Sequence, residues 1–216
     1  MTFSVLGYCG STGMLGIAIA SSGICVGSDC PWVRPGVGAV TVQYMADPTI
    51  GVDILDMIGS GMSAAGAVTK VMDGRPHADY RQVAAIDCKG TTAHFTGRSV
   101  EDIHATVEGK NCLASGNVLG TTAVSTAMID GFEAKTNEQL AERLMGALQA
   151  GVDAGGEKDP IRSAALLVVH EQPWPLVNLR VDWSDRRPVE TLCDLWSRYE
   201  PEMNSYVTSA VNPTEA

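Results

Sequence analysis

The sequence predicts an α+β fold in which two antiparallel sheets stack face to face between outer helices, a four-layer αββα sandwich. Turn signals between neighbouring strand-like segments favour hairpins, and hairpins pair antiparallel. Two of those segments, 15–19 and 166–169, are apolar on both faces. An antiparallel sheet that is covered on only one face normally alternates polar and apolar residues. Both observations fit two stacked sheets, and a simple two-layer α+β fold is the alternative.

The predicted strands are short segments of alternating or continuous apolar character, bounded by turns that contain glycine. In chain order they are 2–9, 15–20, 37–43, 81–88, 91–96, 110–117, 163–170 and 176–181. Residues 10–13, Gly-Ser-Thr-Gly, indicate the first turn, and Lys89-Gly90 is typical of a hairpin turn.

Helices are predicted from capping residues and from apolar residues at four-residue spacing. Asp47 before Pro48 is a typical N-cap, and Ser63 is predicted to cap a second helix that ends near residue 72. Two later helices are predicted over 122–134 and 189–199. Between those two, Thr136 and Gln139 form a capping-box pattern before a helix that ends at residues 155–156, Gly-Gly.

The domain organisation is predicted to be simple. With 216 residues and no repeat or linker, the chain suits a single αββα domain over 1–202, followed by a polar C-terminal tail over 203–216. Acidic residues outnumber basic ones 25 to 15, and the net charge of −10 argues against nucleic acid and anionic membrane partners. No apolar run approaches the roughly 20 residues that span a bilayer.

The cysteines and the N-terminus indicate the cellular compartment in which the protein is expected. The six cysteines form no C-x-x-C pair, and the N-terminus has no basic region of the kind that begins a secretory signal. We therefore expect reduced thiols, a cytoplasmic location and neither a metal nor an organic cofactor. A homo-oligomer is also expected, with Trp174, Trp183 and Trp196 as candidates for an apolar interface.

Thr2 is the candidate nucleophile. Methionine removal is favoured when the second residue is small, and it would give Thr2 a free amine beside its own hydroxyl. An α-amino group titrates near pH 7.7–8.0, roughly where a general base is useful. A threonine with an N-terminal amine is therefore a self-contained nucleophile. The alternative is that Thr2 is only the first residue of a strand.

Several segments together carry a family resemblance. They are MTFS (1–4), GIAIAS (16–21), PWVRPGVGAV (31–40), AHFTG (93–97), SGN (115–117), AGG (154–156) and SAAL (163–166). In this order, over about residues 2–195, they resemble the family catalogued as domain of unknown function 1028. The resemblance implies an Ntn-hydrolase-like αββα fold, and it implies no particular reaction.

The sequence departs from that family's usual pattern at three places. Arg162 stands where members often have Gln, Val42 precedes Gln43 where members often have Thr, and Phe95 is inserted after His94. If these positions touch substrate, the resemblance implies that substrate choice differs from that of relatives.

The remaining candidates each have a structural alternative. Asn117 could donate to an oxyanion or support its own turn. Arg34 could clamp a substrate carboxylate or stack on Trp32. We also expect Gln43, His94 and Ser163 to contact substrate, although a histidine in a strand is often structural.

The sequence thus predicts an Ntn-type amidohydrolase that cleaves a C–N amide bond in a small substrate. Thr2 is the nucleophile, its amine is the base and Asn117 holds the oxyanion. A non-catalytic small-molecule-binding or assembly protein is the first alternative, and a hydrolase that depends on Cys25 is the second.

Overall fold

The computed structural model describes residues 1–101 and 103–214. Within them, the strands are β1 (Thr2–Tyr8), β2 (Leu15–Ser21), β3 (Pro31–Arg34), β4 (Gly38–Tyr44), β5 (Arg81–Asp87), β6 (Thr92–Thr96), β7 (Ala105–Gly109), β8 (Cys112–Asn117), β9 (Ser163–Val169) and β10 (Val177–Val181). The helices are α1 (Val26–Asp29), α2 (Pro48–Gly59), α3 (Ala64–Met72), α4 (Ala123–Glu133), α5 (Leu140–Asp153), α6 (Pro188–Tyr199) and α7 (Met203–Val211).

The strands form two antiparallel sheets. Six strands lie in the order β10-β9-β2-β1-β8-β7, and four lie in the order β3-β4-β5-β6. Strand β1 is central in the larger sheet, where Thr2 is opposite Ser21 on one side and Asn117 on the other. The first residue of the strand therefore has a neighbour on each side.

Three apolar layers hold the sheets and helices together. Phe3 and Val5 point outward into the core that α4, α5 and α6 form on the larger sheet. Leu6 points the other way, into the core between the two sheets, together with Ile17 of β2. Helices α2 and α3 cover the outer face of the smaller sheet. The predicted four-layer αββα sandwich is confirmed, and it explains why β2 and β9 are apolar on both faces.

Besides α7, three short elements are not marked by any pattern in the sequence, and one helix cap lies elsewhere than predicted. Strands β3 and β7 lie at sheet edges, and α1 is a single turn of four residues, so none of them carries a long periodic pattern. The capping box predicted at Thr136 does not form. Helix α5 begins later, and the side chain of Gln139 itself accepts from the Ala141 N–H. The N-caps at Asp47 and Ser63 form as predicted.

The segment predicted as a polar tail contains α7, whose first residue, Met203, is buried against the helical core. Residues 215–216 lie outside the described part of the chain, and the domain boundary at 202 stays a prediction. None of the helices that the structure describes combines the length and apolar character needed to cross a membrane.

Candidate functional site

A row of polar side chains crosses the larger sheet at the end where β1 begins. Strand register places Ser163, Ser21, Thr2 and Asn117 side by side on four adjacent strands. All four side chains point into the space between the sheets, because each lies an even number of residues from an inward-facing apolar residue on its own strand. Each is at most 5% exposed. The structure therefore brings Thr2 and Asn117 together, as the sequence predicts.

Thr2 lies under the residue that precedes it. Its Oγ1 donates to the Met1 carbonyl oxygen at 2.5 Å and lies 3.2 Å from Ser21 Oγ. Ser21 Oγ also donates to the Met1 carbonyl, at 2.5 Å, and accepts from the Gly23 N–H. Thr2 is thus at the end of a central strand, but its hydroxyl is covered by Met1 and does not face an open pocket.

Two glutamines of the smaller sheet complete the polar layer. Gln43 and Gln82 are opposite each other on β4 and β5, and both are fully buried. Gln82 Oε1 accepts from Asn117 Nδ2 at 2.9 Å and from Gln43 Nε2 at 3.1 Å. Gln82 Nε2 donates to the Gly116 carbonyl oxygen at 3.0 Å. Gln82 therefore joins the two sheets directly beside Thr2.

Sequence reasoning missed Gln82, although a signal for it existed. It begins the inward-facing series Gln82, Ala84, Ile86 on a strand that is otherwise apolar. A single amide in such a series is typical of a buried hydrogen-bonding position, since buried polar groups need partners.

The hydrogen bonds of Gln82 fix how its neighbours are oriented. Because Gln82 Nε2 donates to a main-chain carbonyl, Oε1 is its only atom that can receive the amide N–H groups of Asn117 and Gln43. Among residues 1–101 and 103–214, Asn117 Oδ1 and Gln43 Oε1 are then left buried without a partner. Asn117 Nδ2 carries a second N–H besides the one that Gln82 accepts, so the role of Asn117 as oxyanion donor stays a prediction.

Glu157 is a second residue that the sequence analysis did not single out. It forms an isolated bridge with Leu119, two residues beyond Asn117, it is 7% exposed, and its carboxylate faces Ser22. Burial raises the pKa of Glu157 to about 7, although the positive N-terminus and Ser22 partly oppose that rise. The Gly-Gly pair at 155–156, whose two residues both have positive φ, was the signal in the sequence for a tight connection here.

Left-handed backbone surrounds this layer. Val118 directly follows Asn117 with φ 50°, and Tyr44 directly follows Gln43 with φ 70°. A β-branched residue in this region is strained, at a cost of about 1–3 kcal/mol. The Val118 carbonyl accepts from the Lys158 N–H, so the sharp exit from β8 holds the segment that carries Glu157. Such strain is typical of functional sites.

Ser163 and Cys25 belong to the same end but have structural contacts. Ser163 Oγ donates to the Gly23 carbonyl at 2.7 Å and accepts from the Val26 N–H at 3.2 Å. It thereby ties down the loop after β2, which includes Cys25 with its left-handed φ of 55°. The Cys25 N–H donates to the Asp182 carbonyl.

Two predicted residues lie away from Thr2. Arg34 is opposite Gly38, five residues and about 17 Å along β4 from Gln43. It pairs with Asp56 of α2 at 2.7 Å, and 40% of its side chain is exposed. The expectation that Arg34 converges on Thr2 is therefore wrong, since it lies at the opposite end of the sandwich. His94 is exposed on the edge strand β6.

Known proteins give one strong similarity. The family described as "Family of unknown function (DUF1028)" matches residues 2–192. The crystal structure of a Silicibacter pomeroyi protein with the same family assignment is 33% identical, with a TM-score of 0.86 over 92% of this chain and 85% of that chain. Anbu (ancestral beta-subunit) from Yersinia bercovieri is 10% identical, with a TM-score of 0.38 over 94% and 97% of the two chains. None of the curated proteins matches the chain.

Proposed function

Because this chain belongs to the family of unknown function DUF1028, whose description supplies no reaction, we propose a function from the chemistry around Thr2. The protein is an N-terminal-nucleophile amidohydrolase that cleaves the C–N bond of a small amide. One observation carries the proposal: a hydroxyl residue one position from the chain start lies buried between Ser21 and Asn117, in a layer of polar side chains with unpaired acceptors.

Removal of Met1 is the first step. It would free the amine of Thr2 and take away the carbonyl oxygen that now accepts hydrogen bonds from both Thr2 and Ser21. The two hydroxyls, 3.2 Å apart, would then need other partners. An entering substrate carbonyl can supply one of them, in the space that Met1 now fills.

The chemistry that follows balances within Thr2 and the substrate. Thr2 Oγ1 attacks the amide carbonyl carbon while the Thr2 amine takes the hydroxyl proton. The amine returns this proton to the leaving nitrogen as the C–N bond breaks, which leaves an acyl ester on Oγ1. Water, deprotonated by the same amine, then attacks the ester, and the amine gives that proton to Oγ1 as the acid leaves, which restores the Thr2 hydroxyl.

The neighbouring groups position these atoms. The free Oδ1 of Asn117 is suited to accept a hydrogen bond from the Thr2 amine or from a substrate N–H, and Gln82 fixes its orientation. Glu157 provides a carboxylate in the same buried region, where the positive N-terminus already acts on it. The oxyanion donors in this scheme are the second N–H of Asn117 Nδ2, Ser21 Oγ and main-chain N–H groups.

A non-catalytic binding role is the second candidate function. The observation that favours it is the pair of short hydrogen bonds to the Met1 carbonyl, which satisfies both hydroxyls and leaves Thr2 only 5% exposed. If the mature protein retains Met1, Thr2 has no free amine and this second function takes precedence.

The mass of the intact purified protein separates the two candidates. The hydrolase requires a mass lower than that of the encoded chain by one methionine residue. The activated ester p-nitrophenyl acetate then tests the nucleophile without knowledge of the substrate, since acyl transfer releases nitrophenolate. We expect release by the wild-type protein and by Thr2→Ser, and at least a roughly 1000-fold loss in Thr2→Ala. Peptide mapping should find the acetyl group on Thr2.

Ser4→Ala is the matched control. Ser4 is buried on the same face of β1, two residues further along, and its Oγ has no partner. Its removal should leave nitrophenolate release unchanged. Undiminished release by Thr2→Ala, or an acetyl group found only on lysines, would remove the proposed nucleophile.

The wider setting follows from the same proposal. The substrate is a small molecule, and we propose a cytoplasmic location, which the six free cysteines support. We also propose a homo-oligomer, which the exposed Trp174 and Trp183 support, at 39% and 52% exposure. Light scattering that finds a 22.7 kDa particle at micromolar concentration would contradict the oligomer.

A further inference from the structure

A cavity of about 410 Å³ lies at the end of the larger sheet opposite to Thr2. Its walls come from the turn after β1, the turn before β8, the end of α4 and the first turn of α5. We call it the Cys9 cavity and define it by Cys9, Ser11, Lys110, Glu133, Thr136 and Arg143. Strand β1 has seven residues, which separates this cavity from Thr2 by roughly 20 Å.

Arg143 is the unusual wall residue. It is only 7% exposed, and its Nε donates to the Phe132 carbonyl at 3.3 Å. Its guanidinium carbon lies 3.8 Å from the centroid of the Phe132 ring. Among residues 1–101 and 103–214, no carboxylate oxygen comes within 4.0 Å of its nitrogens, and neither Nη atom has a hydrogen-bond acceptor.

A buried guanidinium with no carboxylate in direct contact is incompletely compensated, which indicates a missing anion. Arginines that are this buried are almost always paired, because removing a charge from water is expensive. Burial here lowers the pKa of Arg143, and the negative charge of Glu133 in the cavity wall only partly opposes that change. The cation–π contact with Phe132 compensates only one face of the group.

The contacts of Arg143 also select the shape of the anion. Nε is engaged by the Phe132 carbonyl, and the aromatic ring covers one face, so the edge with the two Nη atoms is the part left open to the cavity. Two parallel N–H groups on one edge match the two oxygens of a carboxylate.

The remaining wall residues set the charge that the cavity tolerates. Lys110 adds a positive charge, and Glu133 adds a negative one that is held in place, since Glu133 Oε1 accepts from the Lys110 N–H at 2.7 Å. With Arg143 the sum is one positive charge, which suits a monoanionic carboxylate better than a phosphate dianion. Ser11 and Thr136 bring hydroxyls for the rest of the ligand.

We propose that the Cys9 cavity binds the carboxylate group of a small organic acid on the Nη edge of Arg143. The volume is in the range of small-molecule sites. This binding site is independent of the reaction proposed for Thr2, and it holds equally if the protein is not a hydrolase.

Cys9 provides a reporter inside the cavity. Its thiol is half-buried, with Sγ 3.3 Å from Ser11 Oγ, and a bound acid would shield it. The experiment measures the rate of Cys9 alkylation by iodoacetamide, by peptide mapping, with the monocarboxylate butyrate as the probe and sodium chloride at matched ionic strength as the reference. We expect butyrate at about 50 mM to slow alkylation at least roughly threefold, as for a ligand with a Kd of about 25 mM or lower. Cys25 and Cys88 are internal controls whose rates should not change.

Variants of two arginines decide the assignment. Arg143→Met keeps an unbranched chain over Phe132 and should abolish the protection, whereas Arg187→Met, which removes an exposed arginine paired with Glu190, should keep it. Arg143→Lys retains a charge without the fork and should lose most of the protection. If Arg143→Met does not fold, Arg143→Lys alone decides.

Three results would overturn the proposal. They are no protection by butyrate in the wild-type protein, undiminished protection in Arg143→Lys or Arg143→Met, and equal protection by inorganic phosphate, which would show a site for anions in general rather than for carboxylates.

Discussion

The two ends of β1 differ in the kind of chemistry they hold. At the Thr2 end, hydroxyls and amides from both sheets meet in a closed layer, and Glu157 is the charged group buried beside it. At the Cys9 end, a cavity opens to the outside and its walls carry Arg143 and Lys110. One strand can therefore contribute to a closed polar layer at one end and to an open cavity at the other, because the residues at its two ends have different neighbours.

The inward-facing side chains of β1 and β8 become less polar with distance from Thr2, one pair of facing residues at a time. Behind the row of Thr2 and Asn117 lie Ser4 and Ser115, and behind these the inward residues become apolar, beginning with Leu6. A sandwich built only for stability would fill all these rows with apolar side chains. A buried polar atom without a partner costs about 1–3 kcal/mol. Ser4 Oγ and Asn117 Oδ1 are such atoms among the described residues, so the polar layer at the Thr2 end lowers the free energy of unfolding.

The largest effect on stability is expected from Glu157. Its pKa rises in the folded state from 4.5 to about 7, so the folded protein binds a proton that the unfolded chain has already released between these values. Stability should fall as pH rises through this window, by up to about 3 kcal/mol. Glu157→Gln should remove this fall and be the more stable protein at pH 8. Urea unfolding at pH 5 and pH 8 measures both, and an unchanged pH dependence would contradict the assignment.

Gln82 should be the next most sensitive position. Gln82→Leu removes the acceptor of the buried amide N–H groups of Asn117 and Gln43 and the donor to the Gly116 carbonyl, which should cost about 2–3 kcal/mol of unfolding free energy. The control at the other end, Lys110→Gln, replaces an exposed side chain and should cost less than about 0.5 kcal/mol. Equal costs in urea unfolding would erase the contrast between the ends.

Ser21→Ala should have a moderate effect. It removes the hydrogen bonds to the Met1 carbonyl and from the Gly23 N–H, but Met1 and Gly23 are exposed and can turn to water. We expect a loss of about 1 kcal/mol, and less than about 0.5 kcal/mol for Ser11→Ala at the Cys9 end. Thermal unfolding of the two variants side by side measures the difference. A larger loss from Ser11→Ala would reverse the comparison.

Arg34→Met should have the smallest effect. The ion pair with Asp56 is exposed, and such pairs contribute about 0–1 kcal/mol. Because Arg34 lies at the far end of β3 and β4 from Gln43, nitrophenolate release by Thr2 should not change. A clear loss of release in a protein that remains folded would return Arg34 to the site.

Much of the fold could be predicted because it is written in local patterns. Asp47 and Ser63 cap their helices through side-chain contacts only two or three residues away. The hairpin at 89–90 and the two-faced apolar strands likewise depend on neighbouring residues. The edge strands β3 and β7 were missed, since a strand of four or five residues at an edge has little pattern to read.

The candidate site was only partly predictable. Thr2 stood out because of its place beside the chain start, and Asn117 because of its place at a strand end. Gln82 and Glu157 did not, because their roles depend on partners 34 residues or more away, such as Gly116 and Asn117 for Gln82. Arg34 was placed wrongly for the same reason, since its position just before the third predicted strand, 37–43, did not reveal at which end of the sandwich it would lie.

By itself, the sequence determined which segments form the longer strands and helices and which faces of those strands are apolar, since alternation and capping act over a few residues. The tertiary structure decided the stacking of the two sheets, and with it which rows meet. That stacking joins Gln82 to Asn117, brings Glu157 under cover and directs Arg34 toward Asp56. Contacts of this kind depend on how whole layers pack against each other. The sequence pattern of one segment does not show which residues of the opposite layer it will face.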